Sequence, residues 1–303
     1  MSIALIFNTA HPGTTGWYVE RAFRNAGIPC ASWSPDQLDQ VPEQFDLYLW
    51  VDHGDNYERP WPDRLRPAIL YAIDTHLKHS WPKIRRAALQ YDMVVCGQRE
   101  GAVRLGAGWL PLACDAELHG GALAERDTDI AFVGTDGGVP RKFYLQALRE
   151  RYSSHRIGPA DYRRIGERYG RARIAFNYAI ARDVNMRVFE ALAGGALLLT
   201  NALPHDDLRR IGLERGAHYA EYASPEDLFA RADYYLEHPE ERQRIAEAGR
   251  REALARHTYR HRMKQLLGMV RERLGVDLFE EQGAGGGEPG TVLAPRPAPR
   301  APS

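Results

Sequence analysis

The sequence has no excess of charge of either sign: Lys plus Arg and Asp plus Glu each total 40 in 303 residues. That balance argues against a nucleic-acid partner, which needs a basic footprint. Cysteine is scarce. Cys30, Cys96 and Cys114 lie far apart with no CxxC spacing, which disfavours a disulfide framework or structural zinc site and fits a reducing cytosol. No apolar run approaches the roughly 20 residues of a membrane span. The short run within Met1 to Asn8 has no basic segment before it, so it reads as a first strand and loop rather than a signal peptide. These features lead to the expectation of a soluble cytoplasmic protein.

What is present is a regular alternation. "IALIFN" precedes a helical stripe in "GWYVERAFRNAG"; then come "IPCASW", "FDLYLWVD", "PAILYAID", a helix around "WPKIRRAALQ", and "YDMVVCG". "GWLPLACD" (Gly108 to Asp115) reads as a last strand and exit loop. Short buried strands separated by helices predict βαβ units and a parallel sheet covered on both faces. A polar, glycine-containing stretch, "AELHGGALAERDT", marks a boundary near residues 116–128. The alternation then restarts with "DIAFVGTDGG", "PRKFYLQALRERY", "SHRIG", "RARIAFNYA" and "NMRVFEALAGGALLLTN". The expected class is α/β with two tandem Rossmann-like domains, at 1–118 and 128–258. A closing helical segment spans 259–281. From Gln282 the chain is rich in Gly and Pro and lacks the apolar residues that repay ordering, so 282–303 is expected to be a disordered tail. Two such sheets would turn their carboxyl ends toward a shared cleft, where open α/β sheets bind ligands.

Two stretches have the chemistry of a phosphate site. "FVGTDGG" (Phe132 to Gly138) is a strand entering a glycine-rich turn, with Pro140-Arg141 opening the next helix. Backbone amides and a helix N-terminus there suit a phosphate or diphosphate, as does Arg141; a tight turn alone would use the same glycines. In the second stretch Asn185 has the position of an N-cap, which places Arg187 and Glu190 one turn apart. The plain reading is an exposed i,i+3 ion pair worth tenths of a kcal/mol. The functional reading gives Arg187 a diphosphate and Glu190 the vicinal hydroxyls of a ribose. In the first domain, Asp52-His53 and Asp74-Thr75-His76 follow strands, so Asp52, His53, Asp74 and His76 are the candidates to accept a proton in a cleft; capping is the alternative for each. Metal readings are weaker. "HGD" (His53 to Asp55) belongs on a different fold, "DTD" (Asp127 to Asp129) precedes its strand, and His76 and His79 read as exposed helix residues. No metal ligand is expected.

"NMRVFEALAGGALLLTN", followed by "YASPEDLFARADYYLEHPEERQRIAEAGRREALARHTYRHR", resembles the C-terminal domain of CgeB/YkvP-type glycosyltransferases. These belong to the GT-B group related to family 1 and family 4 glycosyltransferases. "DIAFVGTDGGVPRKFYLQAL", "LPLACD" and "AIDTH" fit the same pattern, so the resemblance covers most of residues 70–265. It implies two Rossmann-like domains and transfer of a sugar from a nucleotide diphosphate-sugar to an acceptor that is a glycan, a protein or a small molecule. By position the donor residues are Gly134, Thr135, Arg141, Asn185, Arg187 and Glu190. The resemblance also implies that no cofactor or metal is required beyond the nucleotide-sugar co-substrate, and that the last helix crosses back to the first domain. Many retaining relatives carry two glutamates seven residues apart, the second matching Glu190; here the first position is Arg182, with Asp183 beside it. A nucleotide-sugar epimerase or hydrolase, and a non-catalytic surface or assembly protein, are the alternatives on the same fold.

Overall fold

A computed structural model describes residues 1–51, 59–121, 125–181 and 183–276. The first sheet contains β1 (Ile3–Ile6), β2 (Cys30–Trp33), β3 (Leu47–Val51), β4 (Ala68–Ala72), β5 (Met93–Cys96) and β6 (Gly108–Trp109), in the order β2-β1-β3-β4-β5-β6. Its helices are α1 (Thr15–Asn25), α2 (Trp81–Ala88) and α3 (Arg99–Leu105). All its strand pairs are parallel. The sequence runs that form β1, β3 and β4 are apolar without alternation because both faces are covered: Ile3, Ala4, Leu5 and Ile6 are all fully buried.

A short helix, α4 (Ala116–His119), occupies the connection to the second unit. The second sheet contains β7 (Thr128–Val133), β8 (His155–Gly158), β9 (Ala172–Asn177), β10 (Leu197–Asn201) and β11 (Ala220–Tyr222), ordered β11-β10-β9-β7-β8 and again parallel. Between and after these strands come α5 (Arg141–Arg151), α6 (Ile165–Gly170), α7 (Met186–Gly194), α8 (Asp207–Arg210), α9 (Pro225–Glu237), α10 (Pro239–Arg256) and α11 (Tyr259–Leu274). Gly195 ends α7 in the left-handed region at φ 82°, which lets the chain reverse at once into β10.

The carboxyl ends of the two sheets face each other. Gly13, in the loop after β1, packs on Tyr162 after β8, so closely that a Cβ at Gly13 would lie 2.5 Å from the tyrosine Cβ. On the other side, Arg99 Nε donates to Asp207 Oδ1 at 2.6 Å, joining the end of β5 to the loop after β10. The switch in strand order falls between β1 and β3 in one sheet and between β7 and β9 in the other, and both switch points open into the shared cleft.

The chain passes between the sheets in two places, and these passages are tied together. Cys114 N donates to His257 O at 3.1 Å and Tyr259 N to Cys114 O at 2.9 Å. Arg262 of α11, only 2% exposed, donates from Nε to Pro111 O at 2.9 Å. Helix α11 then packs on α1, with the Tyr18 and Tyr259 rings stacked at 5.3 Å. One apolar cluster therefore runs unbroken from Ile3 and Val19 through Tyr259 to Phe189 and Leu198.

Local structure differs from the sequence expectation in three places. Of the run Gly108 to Asp115, only Gly108–Trp109 is strand, and the rest is buried linker. The polar boundary segment carries α4, whose His119 is completely buried; a helix this short gives no periodic signal. His76 and His79 lie in a turn before α2 rather than on a helix, and Leu77 N bonds to Asp74 O.

Candidate functional site

The glycine-rich turn after β7 begins in a conformation that needs glycine. Gly134 has φ 143°, and a Cβ there would lie 2.5 Å from Arg187 Nη2. The missing side chain is what admits Arg187. From the first turn of α7, Arg187 reaches across the gap between β7 and β9. Its Nε donates to Val133 O at 2.6 Å and its Nη1 to Asn177 Oδ1 at 3.2 Å. Its guanidinium lies 4.5 Å over the Phe132 ring. Nη2 makes no hydrogen bond among the described residues.

Arg141, the first residue of α5, folds back over the same turn. Nη2 donates to Thr135 O at 2.9 Å and Nε to Asp136 O at 3.1 Å, and the guanidinium stands 5.5 Å from the same Phe132 ring. Burial, and then the neighbouring Arg187 charge, push the Arg141 pKa down. Two cations thus flank one aromatic ring at a sheet's switch point, and neither has a carboxylate at ion-pair distance among the described residues. Such an arrangement is costly when empty and favours an anion. Thr135 takes part through its carbonyl, which is a contact the sequence does not indicate.

Asn185 has the backbone of an N-cap (φ −86°, ψ 167°) but its side chain caps nothing. Instead Nδ2 approaches Asn177 Oδ1 at 3.4 Å, while Oδ1 is buried without a partner. The expected capping bond is replaced because Asn177 offers an acceptor at the end of β9. Arg187 and Glu190 do not pair with each other; the plain surface-pair reading is corrected. Glu190 turns inward, is 5% exposed, and accepts no hydrogen bond among the described residues. The nearest cation-forming group is His119, with Nε2 3.8 Å from Oε1.

On the opposite wall, Asp74, two residues beyond the end of β4, has φ 57°, a strained setting for a residue with a side chain. Thr75 anchors the turn by donating from N and Oγ1 to Gln98 Oε1, both at 3.1 Å. His76 and Asp183 line a cavity of about 340 Å³ between the sheets, with Gln98, Trp109 and His205 among its other walls. Nδ1 of His76 is buried without a partner. Burial raises the Asp183 carboxyl, and the neighbouring His76 opposes that shift. The structure therefore brings Asp74 and His76 to one cleft with Asp183. Asp52, His53 and Arg182 lie outside the described residues.

Asn177 and His119 were not singled out in the sequence, and Asp183 was noted only as the neighbour of Arg182. Asn177 is fully buried, and it accepts from Arg187 and Asn185 while donating to Thr200 Oγ1 at 3.0 Å. An asparagine closing the apolar run "RIAF" was the available signal. His119 has none. Asp127 and Asp129 pair with Arg171 and Arg173, as expected of a polar boundary. Among the described residues no three His, Cys, Asp or Glu side chains are placed to hold a metal, and no helix is long and apolar enough to cross a membrane.

Residues 120–268 match the family model described as glycosyl transferase-like (Glyco_trans_1_2). No curated protein matches the sequence significantly. The architecture is that of solved structures from the GT-B group. Anabaena Alr3699/HepE in complex with UDP-glucose superposes with a TM-score of 0.64 at 10% identity, over 90% of this chain and 100% of that one. An α-glucosyltransferase in complex with UDP and a 13-mer DNA gives 0.65 at 10% identity, covering 89% and 99%. A sucrose-phosphate synthase from Thermosynechococcus elongatus gives 0.63 at 13%, covering 91% and 100%. The chain thus has the GT-B fold, two facing parallel α/β sheets, and residues 120–268 of it are similar to the glycosyl transferase-like family.

Proposed function

We propose that the protein transfers a glycosyl group, of hexose type, from a nucleoside diphosphate sugar to an acceptor hydroxyl. The observation that carries this reading is the convergence of Arg141 and Arg187 on Phe132 with no carboxylate partner among the described residues. The pair is placed to take the diphosphate and to stabilise the charge that develops on it as the anomeric C–O bond breaks. Glu190, nearly buried and accepting no hydrogen bond among the described residues, suits the vicinal diol of a ribose. Asp74, His76 and Asp183 are the candidates to take the acceptor hydroxyl's proton as its oxygen bonds to the anomeric carbon: His76 and Asp183 line the cavity, and Asp74 is near enough to act on the Asp183 carboxyl. Solved neighbours with UDP or UDP-glucose make uracil the first base to try. The order of sequence motifs favours the CgeB/YkvP-type group within the fold.

Thermal shift with UDP, GDP, ADP, dTDP and their glucose conjugates tests the donor site. A ligand at one hundred times its Kd stabilises by about 2.7 kcal/mol, a readily measured shift. If none of them raises the Tm, the donor reading is wrong. Product analysis with and without acceptors then separates transfer from epimerisation or hydrolysis. Binding without turnover over a broad acceptor panel would assign the non-catalytic role.

A further inference from the structure

Glu190 is held in an unusual setting. It is 5% exposed, yet among the described residues no arginine or lysine pairs with it and none donates a hydrogen bond to it. What faces it is His119, from the short helix in the connection between the two sheets, with Nε2 3.8 Å from Oε1. That gap is beyond hydrogen-bond range but within reach of a small carboxylate rotation. The imidazole itself is fixed. Its Nδ1 accepts the Asp115 backbone N–H at 3.0 Å, so the ring proton belongs on Nε2. Burial lowers the His119 pKa and keeps the ring neutral. Nε2 also lies 3.2 Å from the hydroxyl of Tyr18 on α1.

The surroundings leave the ring little freedom. Asp115 Oδ1 accepts from Glu117 N and Leu118 N, both at 3.0 Å, and Oδ2 accepts from Arg21 Nε at 2.8 Å. Behind the helix, Gly166 allows close approach: a Cβ there would lie 2.9 Å from the His119 Cα. The imidazole is thus set by α1, α4 and α6 together, and its single Nε2–H stands between two oxygens, Tyr18 Oη at 3.2 Å and Glu190 Oε1 at 3.8 Å.

We infer that His119 is the positioning residue of the donor site, its Nε2–H orienting the Glu190 carboxylate toward the vicinal diol of a nucleoside ribose. This rests on the reading of Glu190 as the diol acceptor. With the carboxylate turned so that one oxygen meets Nε2–H, the remaining lone pairs face the two ribose hydroxyls. The Tyr18 hydroxyl on α1 shares that one N–H as a second acceptor and holds the ring from the first sheet's helix layer.

Calorimetry of the full chain with UDP and with 2′-deoxy-UDP, which lacks the diol, tests this. His119→Asn keeps an acceptor near the Nδ1 position but has no donor that reaches Glu190. UDP affinity is expected to fall by about tenfold, while 2′-deoxy-UDP affinity stays within about threefold. His119→Gln, with an N–H near the Nε2 position, is expected to restore most of the UDP affinity. Equal losses for both nucleotides, or no loss in H119N where Glu190→Ala does weaken UDP, would overturn the positioning role. No loss in E190A itself would overturn the diol reading beneath it. A readout independent of any variant is the ¹⁵N spectrum of histidine-labelled wild type. The Nε2–H tautomer of His119, with a resonance that moves on adding UDP and less on adding 2′-deoxy-UDP, is expected; an Nδ1–H tautomer or an unresponsive ring refutes the proposal.

Discussion

Replacing Arg187 with alanine removes the side chain that spans the β7–β9 gap. Two of its bonds are internal, to Val133 O and Asn177 Oδ1, and Nη2 has no hydrogen-bond partner among the described residues. A charge-assisted hydrogen bond to a bound anion contributes about 1.5–3 kcal/mol. At 1.4 kcal/mol per decade that loss is about 10- to 150-fold in Kd. The fold should change less. Val133 O loses a donor, but Arg141 is freed from the neighbouring positive charge that now lowers its pKa, and Asn177 Oδ1 keeps the approach of Asn185. Calorimetry with UDP and with uridine separates the phosphate term from everything else. UDP should lose the full factor and uridine almost none, and the salt dependence of UDP binding should flatten in the variant. An R187A protein that binds UDP as the wild type does, or loses UDP and uridine by the same factor, refutes the diphosphate role.

Gly134→Ala puts a Cβ 2.5 Å from Arg187 Nη2 in a backbone region L-residues rarely adopt; we expect about 1–3 kcal/mol of destabilisation in urea titrations, with weaker UDP binding. Unchanged UDP affinity would show that Arg187 need not hold its present place. Glu190→Ala should keep the Tm close to wild type while weakening UDP, and global unfolding would show instead that Glu190 is structural. His257 is 2% exposed, and burial, with the nearby Arg262 charge second, pushes its pKa down to about 3 even though Glu252 Oε1 lies 3.8 Å from Nε2. Below its unfolded pKa of about 6.5 the unfolded chain binds a proton that the folded chain refuses, so stability is lost as pH falls. Between pH 7 and pH 5 this one group should cost about 2 kcal/mol. In urea titrations, the unfolding free energy lost between pH 7 and pH 5 should be larger in wild type than in His257→Gln by that amount; equal losses would contradict the assignment.

Much of the architecture was legible because strands buried on both faces leave a plain mark. "FDLYLWV" and "ALLLT" are continuous apolar runs of strand length, and no other common setting combines them with intervening amphipathic helices. The turn from Phe132 to Gly138 was legible for a similar reason: a glycine at φ 143° is a local backbone requirement. His119 was not, since a four-residue helix in a polar segment has no period to detect. Asp183 and Asn177 also depended on what stands opposite them, His76 and Gln98 for one, Arg187 and Asn185 for the other.

The stretch from Asn185 to Asn201 shows the division most clearly. A helix that ends at a glycine and feeds a buried strand is written in these residues alone, because periodicity, the left-handed turn and apolar burial are local properties of the chain. Their spacing also puts Arg187 and Glu190 within one turn of each other. That the two do not pair depends on long-range contacts. Arg187 is drawn to the carbonyl end of β7 and the Phe132 ring, and Glu190 turns toward His119 in the connection between the sheets. Helix spacing fixes which side chains are neighbours. The groups each one faces are set by what other elements bring within about 4 Å, and those come from positions up to 71 residues away in sequence.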